Sequence, residues 1–208
     1  MATYHLTSPF QKEAIEALRA GDVVYVSGEA FTCRSRLHRY VFDEGNPSPG
    51  AAVSRDLLIH VGPIVIRDEK GDWKLISFMP TSSIRFEKWG ADSVKAWGLR
   101  MIIGKTTMGE KTMAAMQEEK CVHVSPQSVS PNAWVDHIKI EGVEYFRELG
   151  SIEATWHMKL TDLGPFVVDM DKLGNNLYRA HEPVVDENRK NALRKLGIEE
   201  DFQYTKLY

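Results

Sequence analysis

The stretch Arg100-Met101-Ile102-Ile103-Gly104-Lys105-Thr106-Thr107-Met108-Gly109 joins a short apolar run to a glycine turn that carries a lysine. Apolar runs of this kind that stop at a glycine are typical of buried strands, and a helix is predicted next, over residues 108–119. In α/β proteins, turns at strand ends hold the groups that bind small ligands. The stretch therefore predicts an α/β fold with a cation fixed at a strand end.

The remaining segments predict both helices and strands. Ser8-Pro9-Phe10-Gln11 has the order of a helix start, with Ser8 as the N-cap, so we expect a helix that ends at Gly21. Further helices are predicted over residues 34–42 and 184–196, and a polar loop over residues 125–132. Strands are predicted over residues 23–26, 57–61, 64–67, 74–78, 100–103, 121–124, 154–160 and 165–170.

Helices and strands alternate early in the chain, whereas paired strands dominate its last third. This order predicts an α/β fold with a mixed sheet flanked by helices. Because no clear linker interrupts the pattern, we expect a single domain over residues 1–208, with residues 182–208 as a C-terminal helical tail.

Composition excludes several classes of function. The net charge of -3, with no basic stripe, argues against a nucleic-acid surface. No apolar run approaches the length of a membrane span, and the N-terminus lacks the pattern of a signal peptide. Cys33 and Cys121 stand far apart without a CxxC motif, which indicates a reducing cytoplasm and no self-contained metal or iron–sulfur site.

Three stretches place a cation beside a hydroxyl or a glycine: Thr32-Cys33-Arg34-Ser35-Arg36-Leu37-His38, Pro80-Thr81-Ser82-Ser83-Ile84-Arg85 and the Gly104-Lys105 turn. Considered one at a time, each has an ordinary structural explanation. Arginines and lysines most often form weak surface ion pairs or are solvated, and a threonine at a turn is usually an N-cap. The functional alternative is an anion site with a threonine hydroxyl that takes part in proton transfer.

Two other readings are disfavoured. The nucleotide-binding pattern GxxxxGK[ST] is absent, because Gly98 lies six residues before Gly104 where the pattern needs five. Asp162, Asp169 and Asp171 lie near turns, but no His or Cys accompanies them at metal-ligand spacing, so we expect no metal site.

Taken together, the motifs resemble the β subunit of class I iron–sulfur hydro-lyases, class I fumarase and L(+)-tartrate dehydratase, over residues 6–178. The likeness also extends to the C-terminal domain of single-chain class I fumarases. Its motifs, in chain order, are Thr32-Cys33-Arg34 with His38, His60-Val61-Gly62-Pro63, Pro80-Thr81-Ser82-Ser83-Ile84-Arg85, Gly104-Lys105 with Met108-Gly109, Glu148-Leu149-Gly150, Asp162-Leu163-Gly164-Pro165 and Gly174-Asn175-Asn176-Leu177.

The resemblance implies a swivelling β/β/α fold and an enzyme that adds or removes water across a carbon–carbon bond of a dicarboxylate. It implies a [4Fe-4S] cluster that acts as a Lewis acid and whose cysteines belong to a partner α subunit, in an α2β2-type assembly. Arg34, Arg85 and Lys105 would bind the substrate carboxylates. Thr81 would take part in proton transfer, and the supporting residues would be His38, Ser82 and Gly104.

Three positions depart from the family pattern. Ser35 replaces an aspartate after the first arginine, Met79 replaces a glycine before Pro80, and Thr106 replaces a glycine after Lys105. Fumarate/(S)-malate is the first substrate expected, with L-tartrate and a mesaconate-like substrate as alternatives. The departures leave a further alternative, a non-catalytic anion-binding protein of the same fold.

Overall fold

A computed structural model describes residues 1–126, 130–199 and 202 of the chain. The strands are β1 Thr3–Ser8, β2 Val23–Cys33, β3 Leu57–His60, β4 Ile64–Arg67, β5 Trp73–Ser77, β6 Met101–Ile103, β7 Val122–Pro126, β8 Ile138–Glu144 and β9 Thr155–Met170. The α-helices are α1 Lys12–Ala17, α2 Ser35–His38, α3 Gly50–Ser54, α4 Glu87–Ala96, α5 Glu110–Glu119, α6 Phe146–Leu149 and α7 Leu177–Lys195. A π-helical turn covers Arg39–Asp43, and 3-10 turns cover Ser83–Phe86 and Val135–His137.

The main sheet is mixed, and it closes on itself. Its order is β1-β2-β3-β6-β7-β9-β8, with the first five strands parallel and β9 antiparallel to its neighbours. Strand β9 also pairs with β2, so β2, β3, β6, β7 and β9 form a closed barrel. The prediction of a mixed α/β fold is confirmed, but the sequence did not predict the closure. The barrel brings the carboxyl ends of β2, β3, β6 and β7 to one rim.

Alternate residues of the central strands point into two apolar layers. Leu57 and Ile59 face the barrel interior, whereas Leu58 between them faces the helices outside. Strand β6 repeats the arrangement, with Ile102 on the outer side. Burial on both faces explains why these strands are continuous apolar runs without polar alternation. The two layers hold the rim on a rigid support.

The predicted helix start at Ser8 is wrong. Ser8 is the last residue of β1, and its hydroxyl lies 2.7 Å from the carbonyl oxygen of Glu29 and 2.9 Å from a carboxylate oxygen of Asp56. Helix α1 begins at Lys12, and its N-cap residue, Gln11, makes no side-chain capping bond. The parallel pairing between β1 and β2 places Ser8 in a strand despite its local capping pattern. Sequence periodicity does not reveal such a pairing.

Strand lengths differ from the predictions in a second way. Strand β2 was predicted over residues 23–26 but continues to Cys33, and its pairing with β9 contains bulges between Val24 and Gly28. The predicted strands over residues 154–160 and 165–170 are one strand, β9, and strands β1 and β8 were not predicted. Part of the predicted loop over residues 125–132 lies outside the described residues.

The C-terminal helix was predicted over residues 184–196 and is present, but it begins earlier, at Leu177. Its first turn is capped by Asn176, whose side-chain oxygen accepts bonds from the backbone N–H groups of Tyr178 and Arg179. Among the described helices, none combines the length and apolar character needed to cross a membrane.

Gly28 gives a direct test of the close approach between β1 and β2. It has a φ of +98°, and a Cβ atom there would lie 2.1 Å from the backbone oxygen of Ser8. A left-handed conformation costs a non-glycine residue about 1–2 kcal/mol, and overpacking adds about 1–3 kcal/mol. We expect Gly28→Ala to lower the free energy of unfolding by more than about 2 kcal/mol, as measured by urea denaturation.

The matched control is Gly71→Ala. Gly71 has a similar φ of +86°, but a Cβ atom there would meet nothing within 4 Å. The free energy of unfolding of Gly71→Ala should therefore fall only by the conformational cost of the left-handed backbone. Equal losses of stability in the two variants would contradict the close contact between β1 and β2.

Candidate active site

The main chain of residues 81–83 extends the sheet past the ends of β3 and β6. The N–H of Thr81 donates to the carbonyl of His60 at 2.7 Å, and the N–H of Lys105 donates to the carbonyl of Thr81 at 2.9 Å. The N–H of Ser83 then donates to the carbonyl of Lys105 at 2.8 Å. Two of the three predicted stretches are thereby joined directly, although the chain separates them.

The side chains of Thr81 and Lys105 are available at this rim. Both residues are partly exposed, and within the described part of the chain neither side chain forms a hydrogen bond or an ion pair. The same holds for the hydroxyl of Ser82, which does not cap the turn that follows. A free hydroxyl and a free ammonium group on adjacent, hydrogen-bonded backbone are suited to bind an anion and exchange a proton with it.

Arg85 lies in the 3-10 turn Ser83–Phe86, which continues into α4. Its side chain is exposed, and no described carboxylate lies within ion-pair distance of it. Phe86, the next residue, is buried and packs against the rings of His38 and His60 at 5.3 and 4.7 Å between ring centroids. This packing fixes the backbone that carries Arg85 while its guanidinium group stays free.

Arg34 follows β2 and is the N-cap residue of α2. Its Nε lies 3.6 Å from Oε1 of Glu153, and only 22% of its side chain is exposed. Its guanidinium group fills the space beside Gly62, where a Cβ atom would lie 2.6 Å from Nη1. Arg34 therefore lies against the loop that follows β3, the strand whose end binds Thr81.

Glu153 brings a carboxylate to Arg34, next to a position where Ser35 provides none. Its Oε1 faces Arg34, and its Oε2 accepts a hydrogen bond from the backbone N–H of Arg36 at 2.8 Å. The carboxylate comes from a loop far along the chain instead of from the neighbouring residue. No local sequence pattern signals this contact.

His38 is a buried supporting residue. Its Nδ1 lies 3.1 Å from the carbonyl oxygen of Arg34 and 3.2 Å from Sγ of Cys33. Its ring stacks on Trp89 and Trp97. Burial lowers the pKa of His38 from 6.5 to about 4, so the ring is neutral near pH 7. It therefore holds the backbone of Arg34 without adding a positive charge.

Gly104 makes room for buried polar groups beneath the rim. A Cβ atom there would lie 1.7 Å from Oγ of Ser83 and 2.8 Å from Nε2 of His123. Glycine is needed at this position because the space beside its Cα is filled by side chains from inside the protein.

A chain of buried polar side chains, which sequence reasoning missed, lies under the two turns. Oγ of Ser83 is 2.8 Å from Nδ1 of His60 and 2.8 Å from Nε2 of His123. Nδ1 of His123 is 2.7 Å from Oδ1 of Asp169. Oγ of Ser125 lies 2.9 Å from the same Oδ1 and 2.8 Å from the carbonyl oxygen of Thr106. A polar residue within an apolar strand, such as His123 in β7, was the available signal.

Thr106 takes up an unusual backbone conformation beside Lys105. It has a φ of +65°, a region that glycine adopts freely and β-branched residues avoid. The family pattern has a glycine at this position, so the observed conformation is the one the pattern would require. The threonine keeps the turn at a conformational cost of about 1–2 kcal/mol.

The described residues contain no group of three or more His, Cys, Asp or Glu side chains that could hold a metal ion. Cys33 and Cys121 are both fully buried, and burial raises the pKa of each thiol. The three aspartates singled out from the sequence have separate partners: Asp162 pairs with His5, Asp169 with His123, and Asp171 with the turn before Asn175. This chain's residues do not fit an iron–sulfur cluster.

Comparisons with known proteins agree with the motif pattern. The family model of the fumarase C-terminus matches residues 2–181. The chain belongs to this family. A putative class I fumarate hydratase of Geobacillus stearothermophilus is 35% identical over 193 residues, which are 92% of this chain but 35% of that protein. The chain therefore spans about a third of the length of this relative.

Other relatives of the family match end to end. The L(+)-tartrate dehydratase subunit beta of Escherichia coli K12 is 32% identical over 192 residues, covering 92% of this chain and 94% of that protein. A putative L(+)-tartrate dehydratase subunit beta of Methanocaldococcus jannaschii is 25% identical over 189 residues, covering 89% and 93%. The family is one of hydro-lyases, and identities of 32–35% do not resolve the substrate.

Acid should destabilise the fold through His38. Its pKa of about 4 lies below the ordinary value of 6.5, so the unfolded chain binds one more proton between these pH values. The contribution of His38 to the free energy of unfolding is therefore complete above about pH 6.5 and is lost as the pH falls toward 4. We expect His38→Asn to reduce the slope of unfolding free energy against pH by up to about 1.4 kcal/mol per pH unit.

The slope is measured by urea denaturation at several pH values. His137→Asn removes an exposed histidine and should keep the wild-type slope. An unaltered slope in His38→Asn would show that this imidazole does not titrate as its burial requires.

Proposed function

We propose that this chain is the β subunit of a heteromeric [4Fe-4S] hydro-lyase that hydrates a C4 dicarboxylate reversibly, with fumarate/(S)-malate as the first substrate. The observation that carries the proposal is the rim, where the free groups of Thr81 and Lys105 share a hydrogen-bonded backbone. Arg34 lies against the adjacent loop, and Arg85 stands one turn beyond Thr81. A dianion needs cations held in this way on rigid strand ends.

In this proposal the cations bind the two carboxylates. Arg34 and Arg85 can each grip a carboxylate with two parallel hydrogen bonds, while Lys105 provides a point charge. Removing a proton next to a carboxylate builds negative charge on that carboxylate. Fixed cations stabilise the charge as it develops, without reorganising during the reaction. Glu153 holds Arg34 in place for this role.

Thr81 is the group proposed to exchange the proton at the carbon beside the carboxylate. A threonine hydroxyl is a weak base unless a neighbouring group activates it. No described side chain lies within hydrogen-bond distance of this hydroxyl, so we assign its activation to an acidic residue of the partner subunit. Ser82, Gly104 and His38 support the turns around it.

The iron–sulfur cluster and the chemistry at the substrate hydroxyl belong, in this proposal, to an α subunit. The two buried cysteines of this chain support that division, because they cannot provide a cluster with its ligands. The end-to-end match with proteins described as beta subunits also supports it. We further propose an α2β2-type assembly in the cytoplasm and a single swivelling β/β/α domain over residues 1–208.

L-tartrate is the second candidate substrate. It is supported by the Escherichia coli L(+)-tartrate dehydratase subunit beta, which is 32% identical to this chain over 192 residues. Both substrates are C4 dicarboxylates and would use the same cations. Assays with fumarate, malate, tartrate and mesaconate on the complex with its α subunit, with the cluster rebuilt anaerobically, decide between them. No turnover of any C4 or C5 dicarboxylate would refute the proposed function.

Replacing Thr81 by alanine tests its role in proton transfer. We expect the turnover rate of the assembled complex to fall by about 100-fold or more, the usual contribution of a positioned acid–base group. Assembly should be unaffected, because the hydroxyl makes no hydrogen bond in the described structure. Thr161→Ala, at an exposed position of β9, is the control and should keep full turnover. An unchanged rate in Thr81→Ala would refute the role of this hydroxyl in proton transfer.

Arg85→Gln tests carboxylate binding. Losing one charge-assisted hydrogen bond costs about 1.5–3 kcal/mol, so we expect kcat/KM to fall by about 10- to 150-fold. The preference for the dicarboxylate over a monocarboxylate analogue should fall with it. Arg39→Gln removes an exposed arginine paired with Glu44 and serves as the control. A loss of similar size in both variants would point to bulk charge instead of a specific contact.

A further inference from the structure

Ser83, His123 and Asp169 have the spacing of a catalytic triad but cannot act as one. The distances of 2.8 Å from Oγ to Nε2 and 2.7 Å from Nδ1 to the carboxylate fit that arrangement. However, Ser83 is fully buried, and its oxygen already contacts two imidazoles and lies under Gly104. No carbonyl substrate can reach this hydroxyl. Any effect of these three side chains on the site is therefore transmitted through the backbone that they support.

The proton positions along this chain of side chains follow from its chemistry. A carboxylate only accepts, so Nδ1 of His123 carries a proton directed at Asp169. With Nδ1 protonated, Nε2 can act as an acceptor, and we place the proton of Ser83 on this contact. The oxygen of Ser83 accepts in turn from Nδ1 of His60. Burial, followed by the neighbouring imidazoles of His38 and His123, holds the pKa of His60 well below its usual value, which keeps this ring neutral.

Members of the buried chain are tied to the turns of the proposed site by main-chain bonds. The carbonyl of His60 accepts from Thr81, and the N–H of Ser83 donates to the carbonyl of Lys105. Ser125, bonded to Asp169, also contacts the carbonyl of Thr106. The side chains beneath and the backbone above therefore form one connected network. A displacement of Ser83 would move both Thr81 and Lys105.

Stability alone does not account for these residues. Oδ2 of Asp169 is buried without a hydrogen-bond partner in the described structure, which costs free energy. Two imidazoles and a carboxylate occupy space that apolar side chains could fill at less cost. The turn they support also contains Thr106 in a conformation unfavourable for threonine. Costs of this kind are typical of sites where geometry serves function.

We propose that Ser83, His123 and Asp169 are positioning residues that hold the backbone of Thr81 and Lys105 in register for proton transfer. The proposal rests on the proposed function. Displacing reacting groups by about 1 Å can reduce a rate about 100-fold, so a fixed register would be valuable at this rim. The assignment differs from the carboxylate-binding roles of Arg34 and Arg85, because these three residues touch no substrate.

The first test measures the backbone itself, in the full-length chain. Amide hydrogen exchange at Thr81 and Lys105 should become at least about tenfold faster in Ser83→Ala, equivalent to about 1.4 kcal/mol of lost protection. Ser93→Ala is the matched control, since Ser93 is equally buried and its hydroxyl bonds only the carbonyl of Trp89 in α4. It should leave the exchange at both amides unchanged. Equal exchange in the two variants would overturn the proposal.

The second test reads the proton positions by long-range proton–nitrogen NMR spectra. His60 and His123 should both carry a proton on Nδ1 in the wild-type chain. Ser83→Ala should release His60 from its fixed tautomer while His123 keeps its own through Asp169. A wild-type His60 protonated at Nε2 would contradict the network.

The third test uses the assembled complex. Ser83→Ala and Asp169→Ala should lower kcat by about 10- to 100-fold. Asp169→Asn should recover most of the loss, because an amide oxygen still accepts from Nδ1 of His123. Wild-type kcat in Ser83→Ala would refute the positioning role. A wild-type complex without hydration activity would instead refute the proposed function, and the exchange and tautomer results would still decide whether the network fixes the two turns.

Discussion

Two main-chain hydrogen bonds, from Thr81 to His60 and from Lys105 to Thr81, hold the candidate site together. They add the segment after Pro80 to the rim of a closed barrel, so that a hydroxyl and an ammonium group lie on one continuous ladder. Backbone in a sheet has little freedom to shift, because each neighbour is fixed in turn by a core packed on both faces. The rim can therefore keep charges in place that would otherwise be mobile.

The rim combines free cations above with buried polar groups below. Lys105 and Arg85 have no described ionic partner, whereas His60, His123 and Asp169 lie in the interior and are almost fully inaccessible. Free cations suit an anionic substrate, and burial keeps the imidazole of His60 beneath them neutral by lowering its pKa. Arg34 differs from Lys105 and Arg85, because its Nε contacts the carboxylate of Glu153 at the edge of the site. This distribution suits a pocket whose other wall comes from a second polypeptide.

The departures from the family pattern have structural counterparts here. At position 35 a serine stands for the family's aspartate, and Glu153 brings a carboxylate to Arg34 from elsewhere. At position 106 a threonine adopts the backbone conformation that a glycine would adopt without strain. Met79, in place of a glycine, is partly buried against the barrel core. In this structure Arg34 therefore has a carboxylate partner, and the turn after Lys105 has a residue in the left-handed conformation, despite the departures at positions 35 and 106.

The sequence by itself determined the central strands, the positions of the cations along the chain and the family. Strands buried on both faces are continuous apolar runs, as at Leu57–His60, and a glycine turn marks a strand end, as at Gly104-Lys105. It did not determine the barrel closure, the edge strand Thr3–Ser8 or the buried chain from His60 to Asp169. These features depend on pairings between distant segments, such as Glu153 with the backbone of Arg36, 117 positions away. Only the tertiary structure decides them, since local periodicity shows that a residue is buried but not which residue it meets.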